Sequence, residues 1–501
     1  MERKRVIIIG AGIAGLSAAS YLQRNGYDTE IFEAHSLPGG LCTSWKRGEY
    51  TFDYCIYWLM GTKKETGFDI IWDELGALVD EEGREVPICN LEEFNSVQLS
   101  DGDCLTFYAD TGRLEEELLR VAPEDRRRIQ RFIRDLRSMA RLKIPIDTEK
   151  WGKKEWFLFL LKHMGPALKL REYSRLTFEE FTRQWRNGKL QEAFRALIPP
   201  DWSATAFVMG LAMQDSQSAG YPIGGSLAFA RNIERRYLAL GGKINYNCRV
   251  EKILVEDGRA VGIRLASGEE FFADDIISAA DGYTTIYKLL EGQYISEEIK
   301  EIYETYPLFP STIHLGFGVA KDLSDFPARQ MIFLPEPLEL PDGSSHQYLS
   351  LNIYNFDPTL APEGKTVVTV LLNTRNDTYW QDLAGKEPVL YQKEKDKMAE
   401  MVMEILEKRI PGFRAAVEVI DVSTPHTVIR YTGNWRGSFE GFAPTPETLS
   451  RSVPKELPGL SNFYMVGQWT EPGGGLPPAG LQGRNLAREF CVRDGKEFRS
   501  R

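Results

Sequence analysis

The stretch "RVIIIGAGIAGLSAASYLQRNGYDTEIFEAH", residues 5–35, constrains the fold more than any other part of the chain. Val6 to Ile9 is a β-branched run suited to a buried parallel strand. Gly10, Gly12 and Gly15 follow in GxGxxG spacing, and Leu16, Ala19 and Leu22 then set one face of a helix that Gly26 ends. Asp28 to Phe32 resumes the sheet and Glu33 closes it. The three glycines do different things. Gly10 makes the tight turn, Gly12 lets backbone approach a pyrophosphate, and Gly15 lets the helix pack on the strand. The helix start, at Ile13 and Ala14, offers free N–H groups and a positive dipole end to phosphates. Glu33 accepts hydrogen bonds from ribose hydroxyls, and its charge disfavours a 2′-phosphate, which selects FAD or NAD over NADP. GxGxxG alone recurs by chance; here strand, helix and acid agree.

The rest of the composition narrows the field. Hydrophobic residues make up 43% of the 501 and charged residues 27%, an ordinary globular balance for about three domains' length. A net charge of −11 leaves no positive field for a phosphate backbone, so nucleic acid is not an expected partner. Six cysteines without CxxC spacing argue against a metal site and against a secreted disulfide framework. The opening apolar run is too short for a signal segment, and no uninterrupted run approaches 18 residues, so no membrane span is expected. The cytoplasm is the expected compartment, with attachment to the inner face of a membrane left open.

After Glu33 comes "AHSLPGG", which places Gly39, Gly40 and then Leu41 just beyond the second strand. This E-x5-GG arrangement resembles the extended FAD signature of the glutathione-reductase-like flavoproteins, which implies FAD and a Rossmann-type domain. The disulfide reductases of that superfamily carry C-x4-C here, whereas Cys42 is followed by Arg47 five positions on. No second strand–GxGxxG–helix unit follows, so the electron partner is expected to be oxygen, a quinone or a small carrier.

Downstream, a helix ends at Gly241–Gly242, and turns at Asp257–Gly258 and Ser267–Gly268 mark a β-meander that returns to the sheet at Ile276–Ile277. By the superfamily resemblance Val250 contacts adenine through its backbone. The expected organisation is α/β: FAD-domain segments at 1–72, 217–282 and 425–501, with an inserted α+β substrate domain from 73–216 and 283–424. Two stretches in the first insertion are weighed as membrane-surface helices against an apolar face packed in the core under solvated basic residues; the core reading is preferred for the first, and both stay open for the second. Arg126 to Lys143 carries eight basic residues against one acid, with Ile129, Phe132, Ile133, Leu136 and Met139 at helical spacing. Trp151 to Glu172 adds a Trp/Phe/Leu run flanked by lysines.

Near the end, "YMVGQWTEPGGGLPPAG" reads as a strand over Phe463 to Val466, a glycine–proline loop, and a helix from about Ala479. Together, "GAGIAG", Glu33, "PGG" and this loop resemble the phytoene desaturase, carotenoid isomerase and retinol saturase family of FAD enzymes, in order along the whole chain. The resemblance implies an oxidoreductase acting on carbon–carbon bonds of a lipophilic isoprenoid at a membrane surface, by desaturation, isomerisation or saturation. It also implies that Gly467, Gln468, Glu471, Gly474, Gly475 and Leu476 lie at the ribitol and isoalloxazine. Glu471 is the ionisable residue that the motif sets beside the ring, and buried there it would suit acid–base work. Two other readings stay open: a flavin amine oxidase on a soluble substrate, and a non-catalytic flavin- and lipid-binding protein. His314 and His426 receive no role.

Overall fold

The computed structural model describes residues 3–146, 148 and 151–501. The predicted α/β core is a five-stranded sheet in the order Lys243–Asn245, Asp28–Phe32, Arg5–Ile9, Asp275–Ser278, Phe463–Met465, with every neighbouring pair parallel. Val6, Ile7 and Ile8 are fully buried, as a strand covered on both faces requires. The helix Ile13–Arg24 leaves the first strand so tightly that a Cβ on Gly15 would lie 2.1 Å from the Gly10 carbonyl oxygen. It packs on the last helix, Leu476–Arg493, and there a Cβ on Gly483 would lie 2.4 Å from the Ala18 nitrogen. Ser17 Oγ donates to the Gly480 carbonyl at 2.7 Å across this crossing. The same last helix carries Arg484, whose Nε meets Glu74 Oε2 at 2.9 Å with both side chains sealed from solvent. Glu74 belongs to the helix Phe68–Leu75, which runs past residue 72. The meander is three antiparallel strands, Val250–Glu256, Arg259–Leu265 and Glu270–Phe272.

A second, seven-stranded sheet runs in the order Val417–Ser423, Ser311–Val319, Thr366–Thr374, Ser345–Ile353, Arg329–Glu339, Glu93–Gln98, Cys104–Tyr108. Its last two strands come from the first insertion and the other five from the second. One face of Ser311–Val319 sets Ile313, Leu315 and Phe317 in a core with Met398, Val402 and Leu406 of the helix Pro388–Arg409. The other face meets the hairpin Ser44–Arg47/Tyr50–Asp53, since Cβ atoms on Gly316 and Gly318 would lie 2.6 and 2.5 Å from the Phe52 and Tyr50 rings. Helices from the first insertion enclose an aromatic cluster that includes Phe107, Phe132, Phe181, Trp185, Phe194 and Phe207.

The two basic amphipathic stretches settle in different ways. The helix Arg126–Met139 buries Ile129, Phe132, Ile133, Leu136 and Met139 in that aromatic core, and Arg131 and Arg137 pair with Glu172 and Glu115. Its apolar face is therefore core rather than lipid-facing. The helix Lys153–Ser174 is the reverse: Phe157, Leu158, Leu160, Leu161, Met164 and Leu168 are all exposed. Among the described residues no helix is long and apolar enough to cross a membrane.

Candidate active site

Both glycine-rich ends of the sequence converge on one cavity of about 850 Å³. Its floor is the carboxyl edge of the parallel sheet, where the strand order reverses around Arg5–Ile9 and Asp275–Ser278 and ligands of such folds bind. Gly10, Gly12, Ile13, Ala14, Glu33, Gly39, Gly40, Leu41, Val250, Gly467, Gln468, Gly475 and Leu476 all line it. A Cβ on Gly12 would meet no atom within 4 Å, so the loop leaves its backbone bare toward the cavity. Glu33 is buried, its Oε2 accepting from Ala11 N–H at 2.6 Å and its Oε1 from His35 N–H at 2.8 Å. Burial raises its carboxyl above the ordinary value, against the pull of those backbone donors.

The second wall is the loop after Phe463–Met465. Gly473, Gly474 and Gly475 take φ of 91°, 49° and 94°, left-handed backbone that glycine alone adopts in succession without strain. The helix then begins at Leu476, three residues before the expected Ala479, because Pro477 and Pro478 occupy the first turn, where no N–H is needed. Two helix N-termini, at Ile13 and Leu476, thus present positive dipole ends to one cavity. Tyr54 Oη and Ser423 Oγ, on residues that line the same space, are buried without a protein partner. These features fit a bound dinucleotide.

Three sequence-predicted residues stand outside the cavity lining. Gly15 lies beneath the loop, and Gly474 closes against the Glu440 backbone, 2.6 Å from a Cβ built on it to the Glu440 oxygen. Glu471 is exposed, and its Oε2 accepts from Gln482 Nε2 at 2.8 Å. The expected burial of Glu471 is therefore corrected: its carboxyl is exposed and held by Gln482 of the last helix.

Among the acids that line the cavity is Glu440, in the turn between Gly437 and Gly441. Ser438 Oγ fixes that turn, donating to the Gly441 carbonyl at 2.9 Å and accepting its N–H at 3.1 Å. Glu440 Oε1 lies 3.9 Å from a Cβ built on Gly475, at the start of the last helix. Burial, with no other cause to offset it, pushes the Glu440 carboxyl up to about 7. Asp281 also lines the cavity and is pushed up to about 6 by burial, but its oxygens are committed to the Thr284 and Trp435 N–H groups. Aromatic residues line the same cavity: Tyr54 packs on Phe439 at 5.8 Å and on Trp45 at 6.0 Å, while Trp469 donates to Asn434 Oδ1 at 2.8 Å. His314 is fully buried against Trp45 and Tyr54, and burial lowers it to about 4, so it is a neutral imidazole. Sequence reasoning missed Glu440; its one local signal was a lone acid among closely spaced glycines in "RGSFEGF".

Comparison with known proteins agrees with this geometry. The model of the flavin containing amine oxidoreductase family matches residues 13–491. Prolycopene isomerase 1 of an Oncidium hybrid cultivar is 28% identical over 521 residues, covering 99% of this chain and 85% of its own. The lycopene-forming phytoene desaturase of Pseudescherichia vulneris is 25% identical over 490 residues, covering 95% of this chain and 96% of its own. Among solved structures, a triple mutant of putrescine oxidase superposes with a TM-score of 0.64 at 13% identity, covering 98% of this chain and 99% of that one, which shows the shared fold. Because the family match takes in nearly the whole chain, the protein belongs to the flavin containing amine oxidoreductase family and is an oxidoreductase whose cofactor is FAD.

Proposed function

We propose that the enzyme changes carbon–carbon double bonds of a lipophilic isoprenoid, by desaturation, isomerisation or saturation, while seated on a membrane surface. The observation that carries this reading is the helix Lys153–Ser174. Phe157, Leu161, Met164 and Leu168 recur at helical spacing and are 66%, 62%, 57% and 57% exposed. Lys153, Lys154, Lys162 and Lys169 stand on the same helix, the pairing of apolar face and cations that suits an anionic bilayer surface. The names of the curated relatives, which isomerise prolycopene or desaturate phytoene, support the substrate class.

FAD, when bound, supplies acceptance or donation of hydride. The residues that we place around it are the sequence-predicted set lining the cavity, with the N-termini at Ile13 and Leu476 facing its negative groups. Glu440 takes or delivers the proton at a substrate carbon, since its raised carboxyl is poised between acid and base at neutral pH. Trp45, Tyr54, Phe439 and Trp469 hold an apolar chain and keep water from it.

The test is an anaerobic visible spectrum of the vesicle-bound protein during addition of polyenes, phytoene among them. Bleaching of the oxidised flavin band marks a dehydrogenase. Conversion only by pre-reduced protein marks an isomerase or saturase. No conversion of any polyene, with bleaching by a primary amine, sinks this reading in favour of an amine oxidase.

A further inference from the structure

The substrate-side sheet carries a polar row that nothing in the flavin chemistry uses. Arg329 stands opposite Asn352, Asn352 opposite Thr369, and Thr369 opposite Gly316, so their side chains share one face. That is the face that meets the Phe52 ring. Arg329, Asn352 and Thr369 are 8%, 7% and 0% exposed. Asn352 Nδ2, Thr369 Oγ1 and the neighbouring Tyr57 Oη are buried without a partner.

Arg329 is the unusual member. A guanidinium presents five N–H donors, yet the hydrogen bond that Arg329 makes among the described residues is from Nη2 to the Tyr57 carbonyl. No carboxylate among the described residues lies within ion-pair distance of it; the groups that act on it most are the phenols of Tyr354, Tyr57 and Tyr221 and the Cys89 thiol. A buried cation so weakly compensated is costly, and orphaned donors beside it ask for an acceptor. The site also adjoins the flavin cavity: Tyr57 follows Cys55, a cavity-lining residue, by two positions, which span about 7 Å at most.

We propose that Arg329, with Asn352, Thr369 and Tyr57, binds a carboxylate of the substrate and so fixes which end of it enters the flavin cavity. This rests on the reading above of an unsaturated lipophile as substrate, and it makes that lipophile an acid rather than a pure hydrocarbon. The guanidinium gives paired N–H donors to the two carboxylate oxygens, and the Asn352 amide and the two hydroxyls complete the ring of donors.

The experiment titrates the FAD-loaded full-length protein with retinoic acid, with retinol and with L-phenylalanine, following perturbation of the flavin spectrum. The expected result is at least tenfold tighter binding of retinoic acid than of retinol, a ratio that Arg329→Met erases and Arg329→Lys reduces in part. A residue that only holds the Tyr57 carbonyl would weaken acid and alcohol alike. Equal affinities in the parent protein, a ratio that survives Arg329→Met, or no binding of any acid overturns the carboxylate site. Binding of L-phenylalanine alone, lost in Arg329→Met, keeps the carboxylate site and overturns the lipophile reading instead.

Discussion

Glu440 and Glu471 differ by surroundings rather than by chemistry. One lines the cavity with its carboxyl raised to about 7; the other is exposed and held by Gln482. Below pH 7 Glu440 is a carboxylic acid able to deliver a proton, and above it a carboxylate able to remove one. The rate of the chemical step is therefore expected to inflect near pH 7, rising with pH if the enzyme desaturates and falling if it saturates. Glu440→Gln is expected to abolish the inflection and lower the rate by about 10²–10⁴-fold, while Glu471→Gln stays within about twofold of the parent. Single-turnover rates of flavin absorbance change across pH 5.5–8.5 check both. Gly10, Gly12 and Glu33 were legible in the sequence because one contiguous strand–turn–helix–strand unit fixes their geometry. Glu440 was not, because the cavity that it lines is also walled by residues near 45, 54 and 475, which no local pattern joins to it.

At the scale of elements, two basic amphipathic helices look alike in sequence and part in the structure. Spacing says that Ile129, Phe132 and Leu136 share a face; whether that face meets protein or lipid depends on partners such as Phe181 and Trp185, more than forty positions away. For Lys153–Ser174 no such partner among the described residues covers the face, and replacing Phe157 and Leu161 together by Glu is expected to cut binding to anionic vesicles at least tenfold without moving the flavin spectrum. Vesicle sedimentation reads the first and absorbance the second. The last helix makes the opposite kind of contact. Arg484 and Glu74 pair out of reach of solvent, with the Tyr21 hydroxyl also donating to Glu74 Oε2 at 2.6 Å. Arg484→Met leaves that carboxylate buried without its cation, and a loss of about 3–5 kcal/mol is expected in urea unfolding. The start of this helix was misread by three residues because a proline pair reads as loop until its place in a first turn is seen.

Across the whole molecule, the two sheets are not independent. Hairpin residues Tyr50 and Phe52 seat against glycines of the seven-stranded sheet, whose strands come from both insertions. Heating is expected to give one calorimetric transition rather than two, and FAD at about a hundred times its dissociation constant is expected to add about 2.7 kcal/mol to the unfolding free energy of that single transition. The α/β class was legible, and so was the gathering of both glycine-rich ends on one cavity, because glycine motifs mark both ends of the chain. The shared sheet was not, because the parallel pairing of Gln330 with Ser96 joins positions more than two hundred residues apart.

The order of strands in the parallel sheet also bears on how the chain is made. Asp275–Ser278 bridges Arg5–Ile9 to Phe463–Met465, and the last helix covers the first. At ribosomal speeds of roughly 5–20 residues per second, the opening strand waits on the order of a minute for the partners that finish its sheet. Once Asp275–Ser278 has paired with Arg5–Ile9, it is Asp275–Ser278 that forms the open apolar edge of the nascent sheet until Phe463–Met465 is made.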